Sequence, residues 1–288
     1  MIRLLRKLER RLEEAGLSPR EALDLLALAA GLPRKTLLLN LSQPPPPEVE
    51  ARAQELLKRR LAGYPLQYLL GEVEFFGLPL KVAEGVLIPR PETEGLVELA
   101  LGLPLPPRPR ILDVGTGTGA IALALKRHLP EAEVHATEVD PRALALAEEN
   151  ARRLGLPVHF HQASLTGGLG ELDLLVSNPP YLPEAYREVA PKELAFENPL
   201  ALYAGPEGLD VARPLAREAL EALRPGGFLL LELAPENVGL MAEELGAMGF
   251  QEVAVLRDLL GRERYLRARR PTEEAEGEEG RLHRPHLP

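Results

Sequence analysis

From Arg110 onward the chain alternates short apolar runs with longer amphipathic ones, and no other feature limits its fold so tightly. Strands are expected at 111–114, 133–137, 158–161, 172–177, 228–233, 251–256 and 263–267, with helices at 120–128, 141–154, 210–223 and 236–248. Strands joined through helices lie parallel, so residues 91–270 predict an α/β domain with a doubly wound, mostly parallel sheet covered on both faces. Ligands of such sheets bind beyond the carboxyl ends of the strands.

The first seventy residues follow a helical period instead. Leu4, Leu5, Leu8 and Leu12 share one helix face, and Ser18-Pro19-Arg20-Glu21 has the form of a capping box with a proline at the first helical position. That second helix runs to Ala30, where Gly31 stops it. A short helix near 34–41, an extended Pro44 to Pro47 and a helix over 48–61 complete a small bundle, residues 1–70. Short alternating stretches with glycines over 71–86 predict a β-hairpin, so 71–90 is expected to link the two modules. The segment from Leu87 to Glu94 leads into a helix ending near Gly102, and the charged 271–288, with five glutamates and little to bury, is expected to be a disordered tail.

The chain has no cysteine, and its six histidines show no metal-ligand spacing, so disulfides, thiolate nucleophiles and a bound metal are not expected. No apolar run approaches the roughly eighteen residues of a membrane span, and the amino terminus carries charges every two or three residues. The default compartment is therefore the cytoplasm. The formal charge of −9 argues against nucleic acid as the main partner, because phosphate binding relies on Lys and Arg. Residues 1–63 nevertheless hold twelve Lys and Arg against eight Asp and Glu, a net of +4, leaving −13 elsewhere. A basic module of this kind suits an acidic partner or RNA, and an ordinary solvated helix surface has the same composition.

The strand at 111–114 enters Gly115-Thr116-Gly117-Thr118-Gly119-Ala120 and then a helix. A turn this tight needs residues without a Cβ, both to reach positive φ and to let a ligand touch the backbone. Gly115-x-Gly117-x-x-Ala120 satisfies a dinucleotide fingerprint, with Glu138 about twenty residues on to accept ribose hydroxyls, as a nicotinamide-dependent oxidoreductase would require. Asp113 and the third glycine at 119 give instead Asp-x-Gly-x-Gly-x-Gly, which suits the methionine amino group and adenosine of S-adenosylmethionine. A packing loop without a ligand, and a plain surface glutamate at 138, are the simpler alternatives. Asp140, followed by Pro141, is expected to cap the next helix.

The strand at 172–177 is apolar enough to be central and ends at Asn178-Pro179-Pro180-Tyr181, beside the glycine turn. Two prolines fix the backbone and donate nothing, so nearby carbonyls face outward as acceptors. An amide or exocyclic amine is a poor nucleophile because its lone pair is delocalised. The Asn178 side-chain oxygen and the Pro179 carbonyl, accepting from both N–H groups, would localise that pair and stabilise positive charge developing on nitrogen. Tyr181 offers a flat face to a planar group. Asn178, Pro179 and Tyr181 are thus the candidate catalytic residues, with Pro180 completing the substrate site. An ordinary strand-ending turn is the alternative, and the tetrapeptide alone does not choose between a glutamine amide and an adenine amine.

Together these residues resemble the release-factor glutamine methyltransferase family (HemK/PrmC), of the class I methyltransferase fold. The likeness covers nearly the whole chain: Pro65 to Tyr68, Gly71 with Glu74 and Phe75, Ile88-Pro89-Arg90-Pro91-Glu92-Thr93-Glu94, Asp113 to Ala120, Asn178 to Tyr181, Phe196-Glu197, and Gly226 to Phe228. The segment from Ile88 to Glu94 discriminates, because Asn-Pro-Pro-Tyr is shared with adenine-N(6) methyltransferases of DNA or RNA. The resemblance implies that Asp113, Gly115, Thr116, Gly117, Thr118, Gly119 and Glu138 hold S-adenosylmethionine, with Asn178 bordering it. It also implies that Asn178 to Tyr181 take the glutamine amide of a peptide-chain release factor, and that the helical amino terminus docks that protein. Family members commonly have an acidic residue and an aromatic after the third strand; Ala163-Ser164-Leu165 stands there instead, leaving adenine contacts to Ser164 and Leu165. Arg90, Glu92 and Glu94 either shape the entrance or favour the start of the following helix.

Overall fold

The computed structural model describes residues 1–272, so the expected tail lies, beyond Thr272, outside the described residues. The described chain divides into two units. The first comprises residues 1–73, 82–84 and 191–196; the second comprises 74–81, 85–190 and the chain from 197 onward. Among the described residues, no helix is long and apolar enough to cross a membrane.

In the first unit, α1 (Ile2–Glu14), α2 (Glu21–Ala30), α3 (Arg34–Leu39), α4 (Pro47–Leu61) and α5 (Leu66–Leu70) bury one apolar core. Leu8 and Leu12 of α1, Leu25 and Leu26 of α2, Leu37 of α3 and Leu57 of α4 are at or near zero exposure within it. The expected capping box does not form. Helix α2 opens at Glu21, and the Ser18 hydroxyl accepts a bond only from the Arg20 N–H, at 3.3 Å. The Glu21 carboxylate goes to the buried Arg60 of α4, whose Nε donates at 2.6 Å. A charge-assisted bond to a buried guanidinium outweighs one to a backbone N–H at a helix end. Arg60 also bonds Glu193 at 3.0 Å, and Phe196 meets the Tyr64 ring edge-on at 5.1 Å, which ties residues 191–196 to this unit.

Strands β1 (Glu72–Phe75) and β2 (Leu78–Lys81) form the expected hairpin. Then come α6 (Pro91–Leu101), β3 (Arg110–Val114), α7 (Ala120–His128), β4 (Glu133–Glu138), α8 (Pro141–Leu154), β5 (His159–Gln162) and β6 (Leu172–Ser177). The chain continues through α9 (Pro199–Leu202), α10 (Ala212–Ala222), β7 (Leu223–Glu232), α11 (Val238–Met248), β8 (Gln251–Arg257) and β9 (Glu263–Arg269). The last seven strands form one sheet in the order β5-β4-β3-β6-β7-β9-β8, parallel except where β9 runs against β7 and β8. Leu112, Val114, Leu229, Leu231 and Leu266 face Leu215 and Ala219 of α10 and Met241 and Leu245 of α11. The alternate residues Ile111, Leu174 and Leu230 are equally buried on the opposite face, where α6 and α7 pack.

Asn150 joins three backbone segments of this unit. Its Oδ1 accepts from the Lys81 N–H at 2.8 Å, and its Nδ2 donates to the Lys81 carbonyl at 3.1 Å and the Thr118 carbonyl at 2.9 Å. The side chain is fully buried, so nothing else meets those backbone groups if it is lost. Asn150→Leu, which keeps the branched heavy-atom framework and loses the polar atoms, should cost about 2–3 kcal/mol. A drop in the urea midpoint, followed by circular dichroism, checks this, and an unchanged midpoint contradicts it.

Candidate active site

Strands β3 and β6 lie side by side where the chain order of the sheet reverses, with Val114 opposite Ser177. A crevice at the carboxyl ends forms at such a reversal. The Ser177 hydroxyl donates to the Val114 carbonyl at 2.7 Å, entirely buried, and so pins the end of β6 to the start of the glycine turn. The turn and the tetrapeptide Asn178–Tyr181 therefore leave the sheet as neighbours.

In the turn, Gly115, Gly117 and Gly119 take φ of 71°, 57° and 87°. A Cβ added at Gly115 or Gly117 would enter open space, whereas at Gly119 it would press on Leu123 and Ala147. Gly119 thus packs the turn against α7 and α8, while the other two keep an exposed backbone bare. Asp113 lies beneath, fully buried, its Oδ2 accepting from the Thr116 hydroxyl at 2.7 Å and the Ala122 N–H at 3.3 Å. Its Oδ1 has no partner. Burial pushes the carboxyl up to about 7 against the opposing pull of those two donors. Glu138, at the end of β4, accepts from the Gly117 N–H at 2.9 Å and the Asp140 N–H at 3.1 Å, which places its carboxylate at the mouth of the turn. Asp140 caps α8 as expected, accepting from the Arg142 N–H at 2.9 Å.

After β5 the chain turns sharply through Leu165, at φ 52°, whose carbonyl accepts from the Thr137 hydroxyl at 2.6 Å. The Ser164 side chain is exposed, and Leu165 packs against the core shared with α10 and α11. Both residues stand at the carboxyl end of the sheet, beside Glu138.

At the tetrapeptide, the Asn178 Oδ1 is buried without a partner, and its Nδ2 donates to the Thr93 hydroxyl at 3.5 Å. Among the described residues no donor reaches the Pro179 carbonyl. The Tyr181 carbonyl, by contrast, accepts from Asn237 Nδ2 at 3.0 Å, and a Cβ at Gly208 would collide with it. The Tyr181 hydroxyl accepts from Arg264 Nη2 at 3.0 Å, and the guanidinium lies 5.3 Å from the ring centroid. Burial raises the pKa of this phenol. The Tyr181 backbone and ring are therefore held by Asn237 and Arg264, while the Asn178 Oδ1 and the Pro179 carbonyl are left without partners.

Arg90 occupies the N-cap position of α6, but its side chain makes no capping bond. It grips the buried Glu197 through two bonds, at 2.8 and 2.6 Å, and Glu197 also accepts from the Ile88 N–H at 2.7 Å. Glu94 accepts from the Phe76 N–H at 2.8 Å, and Glu92 pairs with Arg262 at 3.3 Å. Each of the three thus fixes a different neighbour, and the segment Ile88 to Glu94 delivers Thr93 to Asn178.

The amino-terminal stretch matches the model of the PrmC N-terminal domain over residues 3–71, and residues 98–192 match that of the methyltransferase small domain. A release factor glutamine methyltransferase of Deinococcus radiodurans is 52% identical over 271 residues, covering 93% of this chain and 97% of that protein. The chain belongs to the release factor glutamine methyltransferase family. Another member, from Moorella thermoacetica, is 43% identical over 92% of this chain and 96% of its own. Solved structures share the fold: a methyltransferase from Pyrococcus furiosus (TM-score 0.51, 22% identity, 77% of this chain and 98% of that one) and the hMettl16 catalytic domain in complex with an RNA hairpin (0.54, 21%, 68% and 76%).

Several residues that shape this family member's site were not singled out by sequence. Thr93 sits within the Ile88 to Glu94 segment, and Asn237 and Gly208 act only through the Tyr181 backbone. Arg264 is one arginine among many. Glu232 did carry a signal, a charge ending the apolar run Phe228 to Leu231. It is fully buried, and burial pushes its carboxyl up to about 7 against the pull of Arg264 and the Thr93 hydroxyl.

Asp113 keeps its proton in the fold up to about pH 7, against 3.8 when unperturbed, so between those values the folded state binds more protons than the unfolded one. Its ionisation therefore costs nothing below pH 4, and stability falls as pH rises toward 7. Asp113→Asn, which mimics the protonated form, should flatten the fall between pH 5 and 8 by on the order of 2–4 kcal/mol. Thermal melts across that range check this. An unchanged slope would show that Asp113 is ionised in the fold at little cost.

Proposed function

We propose that this chain transfers a methyl group from S-adenosylmethionine to the side-chain amide nitrogen of a glutamine in a peptide-chain release factor, in the cytoplasm, and so modulates translation termination. The observation that carries the reading is the buried, unpartnered Asn178 Oδ1 beside a free Pro179 carbonyl. Two unpaired acceptors on adjacent residues suit an NH2 group, which has two protons to give. The names of the curated relatives support glutamine in a release factor over adenine.

The residues at the turn fit the cofactor. The unpaired Asp113 Oδ1 suits its ammonium group, the bare backbone at Gly115 and Gly117 admits its methionine part, and Thr116, Thr118 and Gly119 complete the cradle. Glu138 would hold the ribose, and Ser164 and Leu165 would border the adenine. When bound, the cofactor supplies a methyl group already activated on a sulfonium.

The substrate amide donates one N–H to Asn178 Oδ1 and the other to the Pro179 carbonyl. Held at both protons, the nitrogen turns its lone pair out of conjugation and toward the glycine turn. Both bonds strengthen as nitrogen becomes positive, so they favour the transition state over the ground state. The alkylated nitrogen is strongly acidic and gives its proton to solvent water, with no strong base needed. Tyr181 packs on the planar amide, Pro180 stiffens the backbone between, and the basic helical unit docks the release factor.

Asn178→Ala should lower kcat at least about 100-fold while the Kd for S-adenosylmethionine stays within about threefold. A labelled methyl group offered to a release factor and, separately, to adenine-containing DNA and RNA tests the substrate. Label should enter the protein alone; label in nucleic acid and none in the release factor would overturn the proposal.

A further inference from the structure

A tyrosine ring packs on a substrate only as well as its own side-chain angles are held, because a ring free to swing presents its face for a fraction of the time. Tyr181 is half-buried, and the flat face of its ring is the part that the proposed reaction uses. A phenylalanine offers the same face. What the phenol adds is a hydroxyl, and its role follows from what it touches.

That contact is Arg264. Its Nη2 donates to the Tyr181 hydroxyl at 3.0 Å, and the centre of the guanidinium lies 5.3 Å from the ring centroid, so one side chain both ties and flanks the ring. The sheet holds this arginine in turn. Its carbonyl accepts from the Leu233 N–H at 2.8 Å, and the next residue of β9, Tyr265, pairs with Glu232 and sends its hydroxyl to the Glu92 carbonyl. The Tyr265 hydroxyl occupies the space that a Cβ at Gly95 would need. Arg264 thus springs from backbone that is fixed through both of its neighbours.

A guanidinium in this place carries a desolvation penalty. Its side chain is only 12% exposed, yet of its five N–H donors only Nη2 makes a hydrogen bond among the described residues, and Nε is buried with no partner. Glu232 Oε2 lies 3.6 Å from Nη2, within ion-pair distance and beyond that of a hydrogen bond, so it balances the charge when ionised without directing it. A buried arginine that serves stability alone fills its donors from its surroundings. This one makes its single bond to a residue of the site.

We infer that Arg264 is a positioning residue for methyl transfer, acting through the Tyr181 hydroxyl to hold the ring in the orientation that packs on the substrate amide. The hydroxyl is a tether rather than a reacting group, which is why a tyrosine and not a phenylalanine follows Pro180. Asn237 fixes the carbonyl of Tyr181 and Arg264 fixes its far end, so the residue is held at both. The inference rests on the reading that Tyr181 packs on the substrate amide.

The test is a double-mutant cycle on the full-length protein with a release factor as substrate, and wild type and Asn178→Ala measured alongside. Tyr181→Phe keeps the ring and loses the hydroxyl; Arg264→Met keeps an unbranched stem and loses the guanidinium. Each should lower kcat about tenfold, with the Kd for S-adenosylmethionine within about twofold of wild type. Because the two act as one, the double variant should be no more than about twofold slower than the slower single variant. Independent effects would multiply to about 100-fold, and that result overturns the inference, as does a Tyr181→Phe protein with kcat within about threefold of wild type. Should Arg264→Met fail to fold, Arg264→Lys, which keeps the charge facing Glu232, takes its place in the cycle. No further loss on top of Tyr181→Phe then supports the inference, and a further loss beyond about threefold overturns it. A wild-type protein that does not methylate the release factor, or an active Asn178→Ala, would defeat the underlying reading instead.

Discussion

The bond from the Ser177 hydroxyl to the Val114 carbonyl joins strands 63 residues apart in sequence, and the rest of the site depends on it. Parallel neighbours at a reversal of strand order must end together, so whatever follows β3 and whatever follows β6 share one crevice. The first is a glycine turn with a bare backbone, and the second is a rigid tetrapeptide with two free acceptors. In the proposed reaction the sulfonium and the nitrogen lone pair must lie in line, and the sheet fixes where the two segments that would hold them begin.

The site concentrates groups that a stable core would avoid. Asp113 and Glu232 are buried carboxyls, each pushed up to about 7 by burial, and Asn178 Oδ1 is buried without a partner. Unsatisfied buried polar atoms destabilise, so the surrounding fold has to offset them. Other buried amides of the same unit are paired, with Asn150 making three bonds and Asn237 bonding Ala234, Tyr181 and Glu207. Such orphaned atoms gathered at one edge of a sheet are the mark of a ligand site.

Periodicity revealed the fold because it reports burial directly. The strands β3, β4 and β6 and the helices α7 and α8 fall within a residue or two of the expected bounds, and the glycine turn and tetrapeptide stand where the strand order requires. Local rules failed where a distant partner intervened. Ser18 to Glu21 has the letters of a capping box, but Arg60 takes the glutamate. Residues 191–196 belong with the helical unit through Arg60 and Tyr64, a grouping that no linear boundary could express. Thr93, Arg264 and Asn237 escaped notice for the same reason, since their importance lies in contacts more than fifty residues away in sequence. The choice of glutamine over adenine came from the likeness of Ile88 to Glu94 to a family, and the structure supplies a physical role for that segment in delivering Thr93.

The central claim is that two oxygen acceptors make an amide nitrogen reactive. Tandem mass spectrometry of a release factor after incubation with this protein and S-adenosylmethionine tests it most directly. The account predicts one added methyl group, borne by the side-chain nitrogen of a glutamine. A methyl group on a carboxylate, a lysine or the backbone would contradict it.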